Sequence, residues 1–140
     1  MPTERGPRRA LFLFLGALAG AAAANVLARR WVDVVQVTGR SMAPTLLPGD
    51  RLLVESLTYR SRPPRAGEIV LAADPRDDSR ELIKRVASSG AALELRGDAL
   101  EASTDSRTFG AVPVESVQWR ALIRYWPPAR VARLKHAPGG

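Results

Sequence analysis

Apolar residues are arranged along this chain in two different ways. From Ala10 to Ala28, ALFLFLGALAGAAAANVLA runs nineteen residues without a charged side chain, bracketed by Arg8-Arg9 and Arg29-Arg30. At about 1.5 Å rise per residue, a helix of that length matches a hydrocarbon core of about 30 Å. The stretch therefore predicts one transmembrane anchor. A cleaved secretory leader shares the basic start and the small residues, but its apolar region is usually about 7–15 residues long. A buried or peripheral helix is the third reading. Arginines flank both ends, so orientation rests on the small excess contributed by Arg5, Arg8, Arg9 and the amino terminus, which favours a cytoplasmic N-terminus and an extracytoplasmic remainder.

After Arg30 the pattern changes to short runs of alternating, β-branched character. WVDVVQV (31–37), RLLVES (51–56), EIVLAA (68–73), ELIKRVAS (81–88), AALELRG (91–97) and VQWRALIRYW (117–126) each read as strands. Pro-Gly-Asp at 48–50 predicts a turn, YRSRPPRAGE (59–68) a loop, and DPRDDSR (74–80) a charged hairpin turn. No long helical period follows residue 30. The expected architecture is a basic tail (1–9), an anchor (10–28), a small, mostly β domain (31–126) and a basic, flexible tail (127–140).

Composition then removes several chemistries. The 140 residues allow one principal core, and none of them is cysteine, so disulfides and thiolate nucleophiles are excluded. The single histidine, His136, lies in a terminal HAPGG, which argues against a His-based triad and against a His-ligated zinc. No metal or cofactor is expected. The net charge of +7 is concentrated at the ends: residues 1–30 carry +4, residues 119–140 carry +5, and residues 31–118 carry −2. A basic start and end around a near-neutral centre fits a bilayer surface better than nucleic acid.

What is left for catalysis is hydroxyl, amine, guanidinium and carboxylate chemistry. Ser41, in TGRSMAPTLLPGDRLLV, sits beside Gly39 and Pro44 in a bend, where serines are ordinarily capping or solvated. Lys84 shares a strand face with Leu82 and Val86, and apolar surroundings lower a lysine pKa towards the range where the amine accepts a proton. A serine without histidine can use such a base. A lysine that snorkels to water is the plainer alternative. GDALEASTDSRTFG (97–110) is dense in short polar groups that brace loops, and its Asp105 and Arg107 can form a charge-assisted pair.

Together these stretches resemble the signal peptidase I family, the membrane-bound Ser-Lys endopeptidases of peptidase family S26, which includes the mitochondrial inner membrane peptidases. GRSMAPTLLPGDRLLVE looks like the serine box, LIKRVAS the lysine box and GDALEASTDSRTFGAV the third box. The serine box alone also resembles the self-cleaving repressors of the SOS response, and the anchor and third box separate the two. The resemblance implies a signal-peptidase-like β domain in which Ser41 is the nucleophile and contributes its amide to the oxyanion hole. Lys84 would then be the general base and Ser103 would orient the lysine. Met42, Asp98, Asp105, Ser106 and Arg107 are implied as structural supports. Gly39 stands where bacterial leader peptidases carry a serine, and Ala99 where the third box usually has asparagine. EASTDSRTFGAVP and RYWPP look most like the compact nickel-type superoxide dismutase maturation proteases. The implied partners are a precursor polypeptide and a bilayer; the competing assignments are a general signal peptidase I acting on exported preproteins and a noncatalytic, membrane-anchored peptide-binding β module.

Overall fold

The computed structural model describes residues 6–101 and 103–134, which fall into two units, one ending at Trp31 and one beginning at Val32. The first contains α1, Gly6–Ala28, in which proline occupies the opening turn, where its missing N–H costs nothing, and Ala and Leu favour the helical backbone thereafter. Arg8–Ala28 has a mean hydropathy of 2.1 and none of it is buried, so the helix is long and apolar enough to cross a membrane.

The second unit is built on antiparallel strands: β1 (Val32–Gln36), β2 (Arg51–Glu55), β3 (Ile69–Asp74), β4 (Asp77–Ser89), β5 (Leu93–Arg96), β6 (Val117–Trp126) and β7 (Ala132–Arg133). Their order in the sheet is β1-β2-β6-β3-β4-β5, with β7 also on β6. The mostly β expectation holds, and all six predicted runs form strands. β6 organises the sheet because its first half pairs with β3 and its second half with β2 and β7.

Successive residues of a strand point to opposite faces, and β3 buries both. Ile69 and Leu71 enter one cluster with Val37, Met42, Leu46, Leu52, Val54 and Ala121. Val70 and Ala72 enter a second with Val86, Leu93, Leu95, Val112 and Val117. The serine-bearing loop closes the first cluster through Met42 and Leu46. The third box lies over the second, where Phe109 packs at its margin.

Three stretches differ from expectation. The 59–68 loop starts inside a turn of helix, α2 (Thr58–Ser61), because Glu55 accepts the Thr58 N–H at 2.9 Å and satisfies a helix-start donor. The rest of that loop is organised by buried Glu68, which accepts from Tyr59, Arg62 and the Arg65 amide. The 74–80 turn is tighter than its charge suggests. Asp74 is buried with Arg76 bound to both its oxygens, and β4 already begins at Asp77. Finally, residues 128–134 are not a loose tail. A 3-10 turn, Pro128–Arg130, leads into β7, and Leu134 packs against the first core cluster. Residues 1–5, Ala102 and 135–140, with His136 among them, lie outside the described residues.

Candidate active site

Lys84 takes its position from strand register. It lies opposite Val70 of β3 and on the same side of β4 as Val86, so its stem projects towards the second core cluster. The residue is 3% exposed. β5 leaves the sheet at Arg96, the partner of Arg85. The third box therefore begins beside Lys84, and its polar loop covers the lysine instead of another strand.

The Lys84 Nζ donates to Ser103 Oγ at 3.2 Å, and Ser103 Oγ in turn donates to Asp105 Oδ2 at 2.9 Å. Asp105 is fully buried and also accepts from the Gly97 amide at 3.0 Å and from Arg107 through its amide, Nε and Nη2. Hydrogen bonds from Arg107 hold the Asp105 carboxyl well below the usual carboxylate range. Burial pushes the Lys84 pKa down; the negative charge of Asp105 opposes the shift, and Arg76 adds to it. The Asp105–Arg107 pair largely answers its own charge, so the desolvation of Lys84 prevails.

Ser41 reaches the same place from the opposite side. Its loop leaves β1 and returns to β2 through Gly49, whose φ of 93° suits the sharp turn at 48–50. Two bonds between Val37 and the 49–50 segment close the loop's base: Gly49 N–H donates to the Val37 carbonyl and Val37 N–H to the Asp50 carbonyl, each at 2.8 Å. The Ser41 carbonyl accepts from Ala99 N–H at 3.0 Å. A Cβ on Gly97 would overlap both that carbonyl and the Ser103 hydroxyl. The serine loop, Gly97 and Ser103 are thus in close contact. Ser41, Lys84, Gly39, Arg40, Leu71 and Thr104 line one cleft of about 510 Å³.

The remaining residues singled out in the sequence surround this centre. Met42 is buried in the first core beside Ser41. Asp98 receives two bonds from Arg85, at 2.8 and 2.6 Å. Burial disfavours its charged form, but Arg85 and the Thr45 hydroxyl outweigh that and lower its pKa. Ser106 Oγ accepts the Leu95 amide at 2.8 Å, holding α3 (Ser106–Phe109) to β5. The sequence reading did not single out Thr45, Arg85, Arg124 or Arg130 as parts of this construction. Arg85 carried a signal, since it follows Lys84 and faces the other way along the strand. The others show their role only through contacts across the fold.

Residues 9–100 match the family profile described as Signal peptidase, peptidase S26. The chain is 35% identical over 135 residues to the mitochondrial ATP-independent inner membrane protease subunit 1a of Arabidopsis thaliana, covering 79% of this chain and 80% of that one. It is 33% identical over 129 residues to the mitochondrial inner membrane protease subunit 1 of Xenopus tropicalis, covering 77% of each. It is 28% identical over 141 residues to the probable signal peptidase I-2 of Synechocystis, covering 70% of this chain and 65% of that one.

Proposed function

The chain belongs to the signal peptidase family, peptidase S26, and on that premise we propose that it is a membrane-anchored serine endopeptidase using a Ser41–Lys84 dyad to remove an N-terminal extension from a precursor protein. The observation that carries this reading is a buried lysine, shifted towards its neutral form, hydrogen-bonded to Ser103 in a cleft that Ser41 also lines. Neutral Lys84 takes the Ser41 proton as Oγ attacks the scissile carbonyl, giving a tetrahedral oxyanion. The protonated lysine donates to the departing amine, leaving an ester on Ser41. Lys84 then draws a proton from water, which attacks the ester and releases the acid and the serine. Ser103 orients the amine, and Asp105 with Arg107 fixes Ser103. The Ser41 amide is one oxyanion donor.

The cleft also suits an extended substrate. Among the described residues, β1 is paired only with β2, and β4 pairs with β5 only from Arg85 onward. Val35–Met42 and Arg80–Lys84 border the cleft, leaving strand edges that can bond to a peptide main chain. The precursor we assign is an N-terminally extended nickel-type superoxide dismutase, on the resemblance carried by EASTDSRTFGAVP and RYWPP. Exported preproteins are the competing class. α1 is the anchor and the β domain acts on the extracytoplasmic face.

The deciding experiment incubates detergent-solubilised wild type, Ser41→Ala and Lys84→Ala with signal-bearing precursors and with the extended dismutase. Cleavage by wild type that falls roughly 10⁴-fold or more in both variants is the expected result. Equal cleavage by Ser41→Ala would remove the mechanism, and cleavage of signal-bearing precursors alone would remove the dismutase.

A further inference from the structure

The Ser41 loop is gripped at two places, and only one belongs to the boxes already described. On one side, Ala99 and Asp98 hold Ser41 and Thr45. On the other are two arginines from the end of the chain. Arg124 Nη1 donates to the Thr45 carbonyl at 2.5 Å, and its Nε donates to the Arg130 carbonyl. Arg130 Nη1 binds both oxygens of Asp50, at 2.7 and 2.9 Å, and its Nη2 lies 3.5 Å from the Pro44 carbonyl. Asp50 is 2% exposed and accepts the Leu47 amide at 2.9 Å. The arginine forks therefore bind two carbonyls within four residues of the serine, together with the carboxylate that closes the same loop. β7 keeps them there: Arg124 pairs with Ala132, and Leu134 N–H donates to the Leu122 carbonyl at 2.8 Å.

We propose that Arg124 and Arg130 are positioning residues, a C-terminal clamp that sets the Ser41 loop against Lys84. The clamp rests on the dyad reading above. Thr45 is tied to both sides, through its hydroxyl to Asp98 and through its carbonyl to Arg124. Releasing one side leaves the loop pivoting on the other, and the Ser41 side chain moves relative to an amine that stays fixed in its own strand. A planar guanidinium can bind the Asp50 carboxylate and a carbonyl together, which an ammonium does less well. Charge alone will not replace it.

The test compares Arg130→Ala, Arg130→Lys and Arg124→Gln with wild type in detergent, using a signal-bearing precursor. Backbone amide exchange is measured alongside at Ala43 and Leu46, whose N–H groups close the turn onto the Arg40 and Met42 carbonyls. In Arg130→Ala we expect kcat to fall about tenfold or more with KM within about twofold, as misplacement of a reacting group does. The acid limb of the pH profile should stay in place, because Lys84 keeps its surroundings. Exchange should accelerate at Ala43 and Leu46 and not in the β3–β4 ladder. Arg130→Lys should fall between the two. Unchanged kcat with unchanged loop exchange overturns the clamp, and so does exchange that rises equally in loop and ladder, which is the mark of a purely structural pair. If Arg130→Ala does not fold, Arg130→Lys and Arg124→Gln read out the same differences. If wild type cleaves no precursor, the protease reading fails, while the exchange measurement still decides whether the arginines hold the loop.

Discussion

At the scale of single residues, the burial of Lys84 sets stability against the chemistry proposed for it. Burying an amine costs free energy when it is charged, and the cost lowers its folded-state pKa. Two consequences follow with definite signs. On the proposed dyad, activity should rise with pH as Lys84 loses its proton, and the rate should decline on the acid side of its folded-state pKa. Stability moves the same way. The unfolded chain binds the proton more tightly, so the penalty is complete below the folded pKa and is relieved as pH rises towards the unfolded value of about 10.4. Lys84→Met should therefore abolish cleavage yet unfold later at pH 7, by about 1 kcal/mol, as often happens when a buried ionisable group becomes apolar. Urea titrations at pH 7 and pH 10 check this: the gain should shrink at the higher pH, and a loss at both would mean that the bond to Ser103 outweighs desolvation.

At the scale of elements, the site depends on where β5 stops. The chain turns away at Gly97 immediately after its last paired residue, and the position beyond is crowded by the Ser41 main chain and Ser103. On the proposed mechanism, Gly97→Ala should lower kcat by about 10²-fold, because a methyl there separates the serine loop from Ser103, which is hydrogen-bonded to Lys84. Gly39→Ala, with nothing within 4 Å of the added carbon, should change kcat less than about threefold. Comparable losses in both variants would show that crowding at Gly97 is not what governs the geometry. These elements also show what the sequence could reveal. The facing of Lys84 was legible because alternation around it is local and Leu82 and Val86 flank it. Asp105 and Arg107 were legible as a pair for the same reason, being two residues apart. The contacts of Asp98 with Arg85 and Thr45 were not, because they depend on how the third box folds over the sheet. The segment after Pro127 read as a tail because its proline-rich composition carries no period and a two-residue strand leaves no pattern. Its order comes from β6 and from Arg130 meeting Asp50, eighty positions apart in the chain.

At the scale of the whole molecule, the division of labour is between an apolar helix long enough to cross a membrane and a β unit that holds both core clusters and the hydrogen bonds around Lys84. Among the described residues, neither core cluster draws one from before Val35. A chain beginning at Trp31 should therefore fold, with an unfolding midpoint in urea equal to that of the full protein, and should cleave a soluble peptide spanning the scissile bond with kcat/KM within about threefold of the full chain. Its action on a precursor held in a bilayer should behave differently. Anchoring enzyme and substrate in one membrane replaces a search through bulk solution by encounter at a high effective concentration, an advantage of about 10²-fold or more without any new contact. Cleavage of a vesicle-embedded precursor by the shortened chain should fall by that factor, and should recover when an unrelated transmembrane helix is fused in place of residues 1–30. Equal rates on the soluble and vesicle-embedded substrates would mean that the helix contributes nothing to substrate encounter. Failure of the unrelated helix to restore activity would mean that α1 acts through its own sequence, not merely through membrane attachment.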